Sequence, residues 1–358
     1  MASLYEVNNI CVIDHSNYIR KKYKDFVDKN VVYSLYLNIS KVLCCSLQVL
    51  LIINCYQNHE PPTYLSILWL QVHKIKNQYE DSRHQISQYV KELFITSYDV
   101  ANTKEVREMS QKFFENTSFN LEGISGGNNS GASVKCNIKG QHFFIPPNSR
   151  FYCGCVNEQC LKLDGRKYEI VIADPPWWNK YIRRLKTANN KLSYSMMYNE
   201  DIAKIPVKNL LSSNCLVAVW CTNAPSCIEA VKNLIFPSWG VEYVTTWYWL
   251  KVGIDLEPIC KFSSGFKKQP YERLIIGKVG HIQAVPEDRI ILSIPSALHS
   301  HKPPLLDLLK PYVDCKNVEA LELFARYLLP NTTSIGYEPL KWQHESLYEL
   351  RENKNDNK

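Results

Sequence analysis

Apolar residues in this chain keep two rhythms, and the change between them falls near residue 122. Before it, Leu65, Leu68, Trp69, Val72 and Ile75 recur at helical spacing, and Ile86, Val90 and Leu93 repeat the pattern. Both sets are expected to be the core stripes of helices. Val42 to Ile53 is strongly apolar, but Ser46 and Gln48 interrupt it and it is too short to span a bilayer, so a core strand or helix is expected there. Residues 1–122 read as a mostly α accessory domain. The stretch Gly123 to Gly131 has the composition of a flexible connection, and a Gly/Ser/Asn-rich linker is predicted over 123–142. Beyond it, apolar runs at Phe143–Ile145, Phe151–Val156, Ile170–Ala173, Leu216–Trp220, Val241–Val252, Leu274–Ile276, Ile290–Leu292 and Ala320–Arg326 read as strands. Helical stretches at Pro225–Ile235 and Leu305–Tyr312 fall between them. That alternation is α/β, with the domain at 143–345 and a polar C-terminal tail at 346–358.

The run Ile170–Ala173 stops at Asp174, and Pro175 and Pro176 then forbid both ladder hydrogen bonding and an easy helical continuation. Ligands of open α/β sheets sit just beyond such strand ends. An exocyclic amine on a nucleobase is a poor nucleophile because its lone pair is delocalised into the ring. A carboxylate and a backbone carbonyl that accept its N–H bonds draw the nitrogen towards tetrahedral geometry. Asp174 can supply the first, Pro175 the second, and Trp177 a flat face for the base. A strand closed by an Asp-Pro turn also has a purely structural reading.

Composition narrows the classes. The 358 residues leave room for a large domain and a smaller one, and 45% hydrophobic content excludes wholesale disorder. A formal charge of +7 permits a polyanionic partner. The 13 cysteines follow no signal peptide, so free thiols in a reducing compartment are expected. Cys153, Cys155 and Cys160 lack zinc spacing and His299 and His301 lack a third ligand, so no metal is expected. Lys180, Arg183, Arg184, Lys186 and Lys191 form a basic loop after Trp177, closed by Tyr194 to Met197; Lys261, Lys267 and Lys268 lie in a second loop before Pro270. The run Arg20–Lys24 reads as a solvated helix face, with RNA contact or a nuclear signal as the alternative.

Asp174-Pro175-Pro176-Trp177 resembles the amino-methyltransferase motif of the MT-A70 family of eukaryotic N6-adenine methyltransferases. The likeness runs on through Asn179-Lys180, Ile205-Pro206-Val207, Trp220 to Asn223, Lys268 to Glu272, His299 to Pro304 and Leu321 to Arg326. The last three look like its methyltransferase-like protein four branch. The resemblance implies a Rossmann-like, circularly permuted, beta-class fold dependent on S-adenosylmethionine, with a smaller mostly helical N-terminal region. It implies N6-methylation of adenine in nucleic acid, and in this branch 2′-O-methyladenosine of a U2-type spliceosomal small nuclear RNA, hence the nucleus. DNA is the alternative substrate, and a non-catalytic RNA-binding scaffold the alternative class. No membrane is implied and no protein partner is required. Catalysis falls to Asp174, Pro175, Pro176 and Trp177. The donor would meet Val156, Asp174, Lys302, Glu322, Arg326, Gly336 and Glu338. Nucleic acid would meet Asn179, Lys180, Arg183, Arg184, Tyr194, Lys267, Lys268, Tyr271 and Glu272. Three positions depart from the family pattern: Cys155 stands where an Asp is usual, and Tyr327 and Tyr337 stand where Asn is usual. Each lost hydrogen bond is expected to cost the donor about 0.5–1.5 kcal/mol.

Overall fold

The computed structural model describes residues 4–14, 26–28, 31–37, 62–94, 121–178, 196–253, 255–263, 268–295 and 301–352. The expectations for Val42–Ile53 and Arg20–Lys24 lie outside them. In chain order the strands are β1 (Leu4–Val7), β2 (Ile10–Ile13), β3 (Phe26–Asp28) and β4 (Val31–Leu37), followed by the long helix α1 (Pro62–Phe94). Next come β5 (Ser125–Asn128), β6 (Val134–Ile138), β7 (Gln141–Ile145), β8 (Ser149–Cys153), α2 (Val156–Leu161), β9 (Tyr168–Ala173), α3 (Asn199–Ala203) and β10 (Leu211–Cys221). Helix α4 (Pro225–Ala230) continues through a π turn to Trp239, where Gly240 caps it in the left-handed region at φ 72°. Last are β11 (Glu242–Lys251), β12 (Tyr271–Val279), β13 (Ile290–Ser293), α5 (Leu306–Leu309), β14 (Ala320–Leu323), β15 (Thr332–Gly336) and β16 (Tyr348–Glu352).

Eleven of the described strands form one mixed sheet in the order β1-β2-β13-β11-β12-β10-β9-β14-β15-β8-β5. β9 is central, parallel to β10 on one side and β14 on the other. β14, β15 and β8 are successively parallel, β11 and β13 are parallel, and β12 runs antiparallel between β10 and β11. Eight strands therefore end at one edge, where β12 begins. Alternation sorts the side chains: Val171, Val217, Val219 and Ile275 pack on one face with Val231, Ile235 and Phe236 of the α4 region. Ile170, Ile172, Ala218, Trp220, Trp249 and Leu274 pack on the other against Leu305, Leu306, Leu308 and Leu309. α1 adds Val72, Ile75, Tyr79, Ile86 and Val90 to the first face, over Tyr248, Leu250 and Ile290.

Four expectations are corrected. The predicted 123–142 linker is ordered: β5 pairs antiparallel with β8, and β6 and β7 form a hairpin. Its glycines serve close approach rather than flexibility, since a Cβ on Gly127 would lie 2.5 Å from the carbonyl of Ser149 and one on Gly126 would lie 2.9 Å from the Phe151 ring. The N-terminal region does not stand apart as a mostly α accessory domain: α1 supplies most of its described residues, but β1 and β2 extend the main sheet through β13, and β3 and β4 form a smaller one. The polar tail contributes β16, which pairs with β4 through a backbone ladder that needs no apolar side chains. Trp69 is 48% exposed beside His73 rather than in the α1 stripe.

Candidate active site

β9 delivers Asp174 to the carboxyl edge, where its backbone N–H donates to the carbonyl of Leu323 on β14 at 3.3 Å. The two prolines then make a tight turn. The carbonyl of Pro175 accepts the N–H of Trp177 and the carbonyl of Pro176 accepts that of Met197, both at 2.9 Å. The N–H of Trp178 donates to the carbonyl of Met197 at 3.1 Å. Residues 177–178 and 196–198 are thus zipped together, with the Trp178 and Tyr198 rings stacked at 6.0 Å. Pro175 is buried with one carbonyl lone pair engaged, so it stabilises the turn before it does anything else. Trp177 is no stacking surface. Its indole N–H donates to the carbonyl of Trp220 at 2.9 Å and its ring is 7% exposed in the core. An indole after a buried strand gains more from filling the core than from waiting for a base.

The second face of the sheet carries a cluster of charges at this edge. Lys302 Nζ lies 3.4 Å from Asp174 Oδ1 and donates to Glu272 Oε2 at 2.7 Å. Lys251 donates to the other oxygen of Glu272. Arg326 lies 3.7 Å from Asp174 Oδ2. Burial raises the carboxyl of Glu272, but Lys302 and Lys251 outweigh it and bring it down to about 2. Burial pulls Lys302 down, and Asp174 and Glu272 overcome that and hold it above the ordinary lysine value. Glu322 goes the other way. Burial, then the charge of Asp174, push its carboxyl up to about 8 against the pull of Arg326, and its Oε2 has no hydrogen-bond partner among the described residues.

Beside this cluster opens a cleft enclosing about 730 Å³, open solvent included, lined by Cys155, Val156, Asn157, Asp174, Pro176, Met197, Phe324, Ala325, Arg326, Tyr337 and Glu338. Of the residues expected at the donor, Val156, Asp174, Arg326 and Glu338 line it; Lys302, Glu322 and Gly336 lie behind the lining. Gly336 allows β15 to press on the turn after β14, since a Cβ there would sit 3.0 Å from the carbonyl of Ala325. Glu338 is held by Lys341 at 3.0 Å. Of the departures from the family pattern, Cys155 and Tyr337 meet each other at the cleft mouth, while Tyr327 points away and donates to the carbonyl of Lys302 at 3.3 Å. Phe324 and Asn157 complete the wall unforeseen, and Met197, from the end of the basic loop, joins them. Phe324 sits in the left-handed region at φ 62°, which a bulky residue adopts only under constraint. Paired charges, an apolar wall and an orphaned carboxyl oxygen close behind suit an amphoteric ligand of nucleoside size.

Of the expected nucleic-acid contacts, Asn179, Lys180, Arg183, Arg184, Tyr194 and Lys267 lie outside the described residues. Lys268 is exposed beside Gln269, whose side-chain oxygen accepts the N–H of Ser263 and whose amide donates to the carbonyl of Ser263. Tyr271 is a correction: it is 2% exposed in the core, edge-on to Tyr248 at 5.6 Å, because alternation on β12 turns it to the face opposite Glu272. Lys251 shares one parity of β11 with Trp247 and Trp249, and that parity brings it to Glu272.

Residues 168–338, from the first residue of β9 to Glu338 on the cleft, match the model of the MT-A70 family. Over 230 residues the chain is 37% identical to the human N(6)-adenine-specific methyltransferase METTL4, covering 61% of this chain and 47% of that protein. It is 38% identical over 218 residues to a DNA N6-methyl methyltransferase of Caenorhabditis elegans, covering 59% and 57%. It is 31% identical over 225 residues to the N6-methyladenosine RNA methyltransferase MTA1 of Pyricularia oryzae, covering 60% and 59%. The chain spans about half the length of these relatives.

Proposed function

Because residues 168–338 belong to the MT-A70 family, we propose that this chain transfers a methyl group from S-adenosylmethionine to the exocyclic amine of adenine in nucleic acid. The observation that carries the reading is Asp174 itself, a carboxylate on a rigid turn at the carboxyl edge, facing a cleft and flanked by Lys302 and Arg326. Asp174 accepts an N–H of the amine and fixes the direction of its lone pair; catalysis is then positioning. The free lone pair of the Pro175 carbonyl is the second acceptor. Val156, Arg326 and Glu338 would hold the donor in the cleft, with Glu322 and Lys302 behind them. Bound there, S-adenosylmethionine supplies an electrophilic methyl group on a sulfonium. The strand carrying Asp174 precedes in sequence its sheet neighbours β14 and β15, which carry the donor side, and this order supports the circularly permuted reading.

The finer reading, carried by the motif likeness, is 2′-O-methyladenosine in a U2-type spliceosomal small nuclear RNA, in the nucleus. A second reading, DNA, is favoured by the activity for which the nematode relative is named. Both fit a pocket that takes the base, because only contacts to the 2′-hydroxyl tell the sugars apart. Matched oligonucleotides carrying adenosine, 2′-O-methyladenosine or deoxyadenosine at one position separate them. Highest kcat/KM on the ribose-methylated strand supports the small nuclear RNA reading, and highest kcat/KM on deoxyadenosine replaces it with DNA. Donor binding in calorimetry with no transfer to any strand would leave a scaffold.

A further inference from the structure

Glu272 is the second residue of β12, the antiparallel strand that begins where its neighbours end. Each of its carboxylate oxygens is taken by a different lysine, Oε2 by Lys302 at 2.7 Å and Oε1 by Lys251. Lys302 then reaches Asp174 Oδ1 at 3.4 Å. The chain of charges is Lys251, Glu272, Lys302, Asp174, and side-chain exposures along it run only from 15% to 30%, too little for water to replace a lost partner. Indoles floor it. The Lys251 ammonium lies 4.4 Å from the Trp249 ring and that of Lys302 lies 5.6 Å from the Trp220 ring. The two indoles meet edge-to-face at 5.7 Å, and Trp249 is pinned by its N–H to Ser293 Oγ at 2.8 Å.

Both oxygens of Glu272 are hydrogen-bonded to lysines, whereas the cations beside Asp174 stand back at 3.4 and 3.7 Å and leave it more acceptor capacity for a substrate amine. A lysine is a point charge on a flexible stem, so its position is set by what anchors it. We propose that Lys251 and Glu272 are positioning residues: Lys251 fixes Glu272, Glu272 fixes the ammonium of Lys302, and Lys302 aims the carboxylate of Asp174. The inference rests on Asp174 receiving the amine. It moves Glu272 from the substrate to the support of the reacting centre.

Lys251→Met keeps the stem over Trp249 and removes the charge, and Glu272→Gln keeps the shape and removes the anchor. Each should lower kcat by about 10–100-fold while KM for donor and for nucleic acid stays within about twofold, the range for losing a supporting contact. The double variant should lose no more than the worse single one, because both act through one chain. A raised KM for nucleic acid with unchanged kcat would return Glu272 to the substrate, and additive losses would break the chain. A second readout needs no turnover. In ¹³C-lysine NMR of the free protein, Glu272→Gln should move the titration of Lys302 to lower pH, since the Glu272 charge opposes the effect of burial there. An unmoved Lys302 would overturn the proposal. A wild-type chain that methylates nothing would instead defeat the proposed activity, with the lysine titration still deciding the anchor. If Glu272→Gln does not fold, Lys251→Met carries the kinetic test.

Discussion

The carboxylate of Asp174 stands between two cations, Lys302 at 3.4 Å and Arg326 at 3.7 Å, and these neighbours hold it at the sheet edge. Asp-Pro-Pro-Trp announced a rigid turn with a carboxylate, and the turn is there. Trp177 and Tyr271 were expected to face a substrate, yet both are core, because parity and neighbouring volume decide where an aromatic ring goes. Lys302 and Glu272 were placed on different ligands and instead hold each other. Glu322 gives a residue-scale test that needs no ligand. With its folded-state carboxyl near 8 and the ordinary value at 4.5, the folded protein keeps a proton that the unfolded chain releases. Its contribution to stability is fully present below pH 4.5 and is lost as pH rises through 8, at up to about 1.4 kcal/mol per pH unit. Glu322→Gln should abolish that fall. Its unfolding midpoint should match wild type at pH 4 and exceed it at pH 8.5. Parallel curves for the two proteins would show that Glu322 is not held protonated.

Elements were read best where burial is two-sided. The continuous apolar run of β9 and the runs of β10, β12, β13 and β14 could only be interior strands, and each is found in the main sheet. The β5 segment was misread because Gly-Gly signals both a flexible linker and a close backbone approach, and only the ring and carbonyl across the ladder distinguish them. The turn after β14 was invisible as strain, since nothing in Leu-Phe-Ala-Arg marks Phe324 for φ 62°. That strain is measurable by comparing two truncations. Phe324→Ala and Phe324→Gly both delete the ring, but only glycine tolerates the left-handed backbone. The glycine variant should therefore be more stable by about 1 kcal/mol in denaturant unfolding. Equal stabilities, or a more stable alanine variant, would show that the turn relaxes out of that conformation.

The whole molecule is less divisible than its sequence. β2 lies beside β13 with Ile10, Cys11, Val12 and Ile13 all buried, so the sheet that presents Asp174 continues into the first described residues. Burying four such side chains contributes roughly 5–10 kcal/mol at most, comparable to the net stability of a domain. A chain lacking residues 1–14 should unfold at markedly lower denaturant or aggregate along the bared β13 edge. Unchanged unfolding would show that β1 and β2 are appended rather than integral. What the assembled sheet is for comes down to one carboxylate at its centre. The most direct measurement supplies S-adenosylmethionine with a labelled methyl group to the full chain, with RNA and DNA, and reads digested nucleosides by mass spectrometry. The wild-type protein should place the label on the N6 amine of adenine, and Asp174→Ala, folded and still binding donor, should do so at least about 10²-fold more slowly. Label on another atom, or a folded Asp174→Ala protein as fast as wild type, would contradict it.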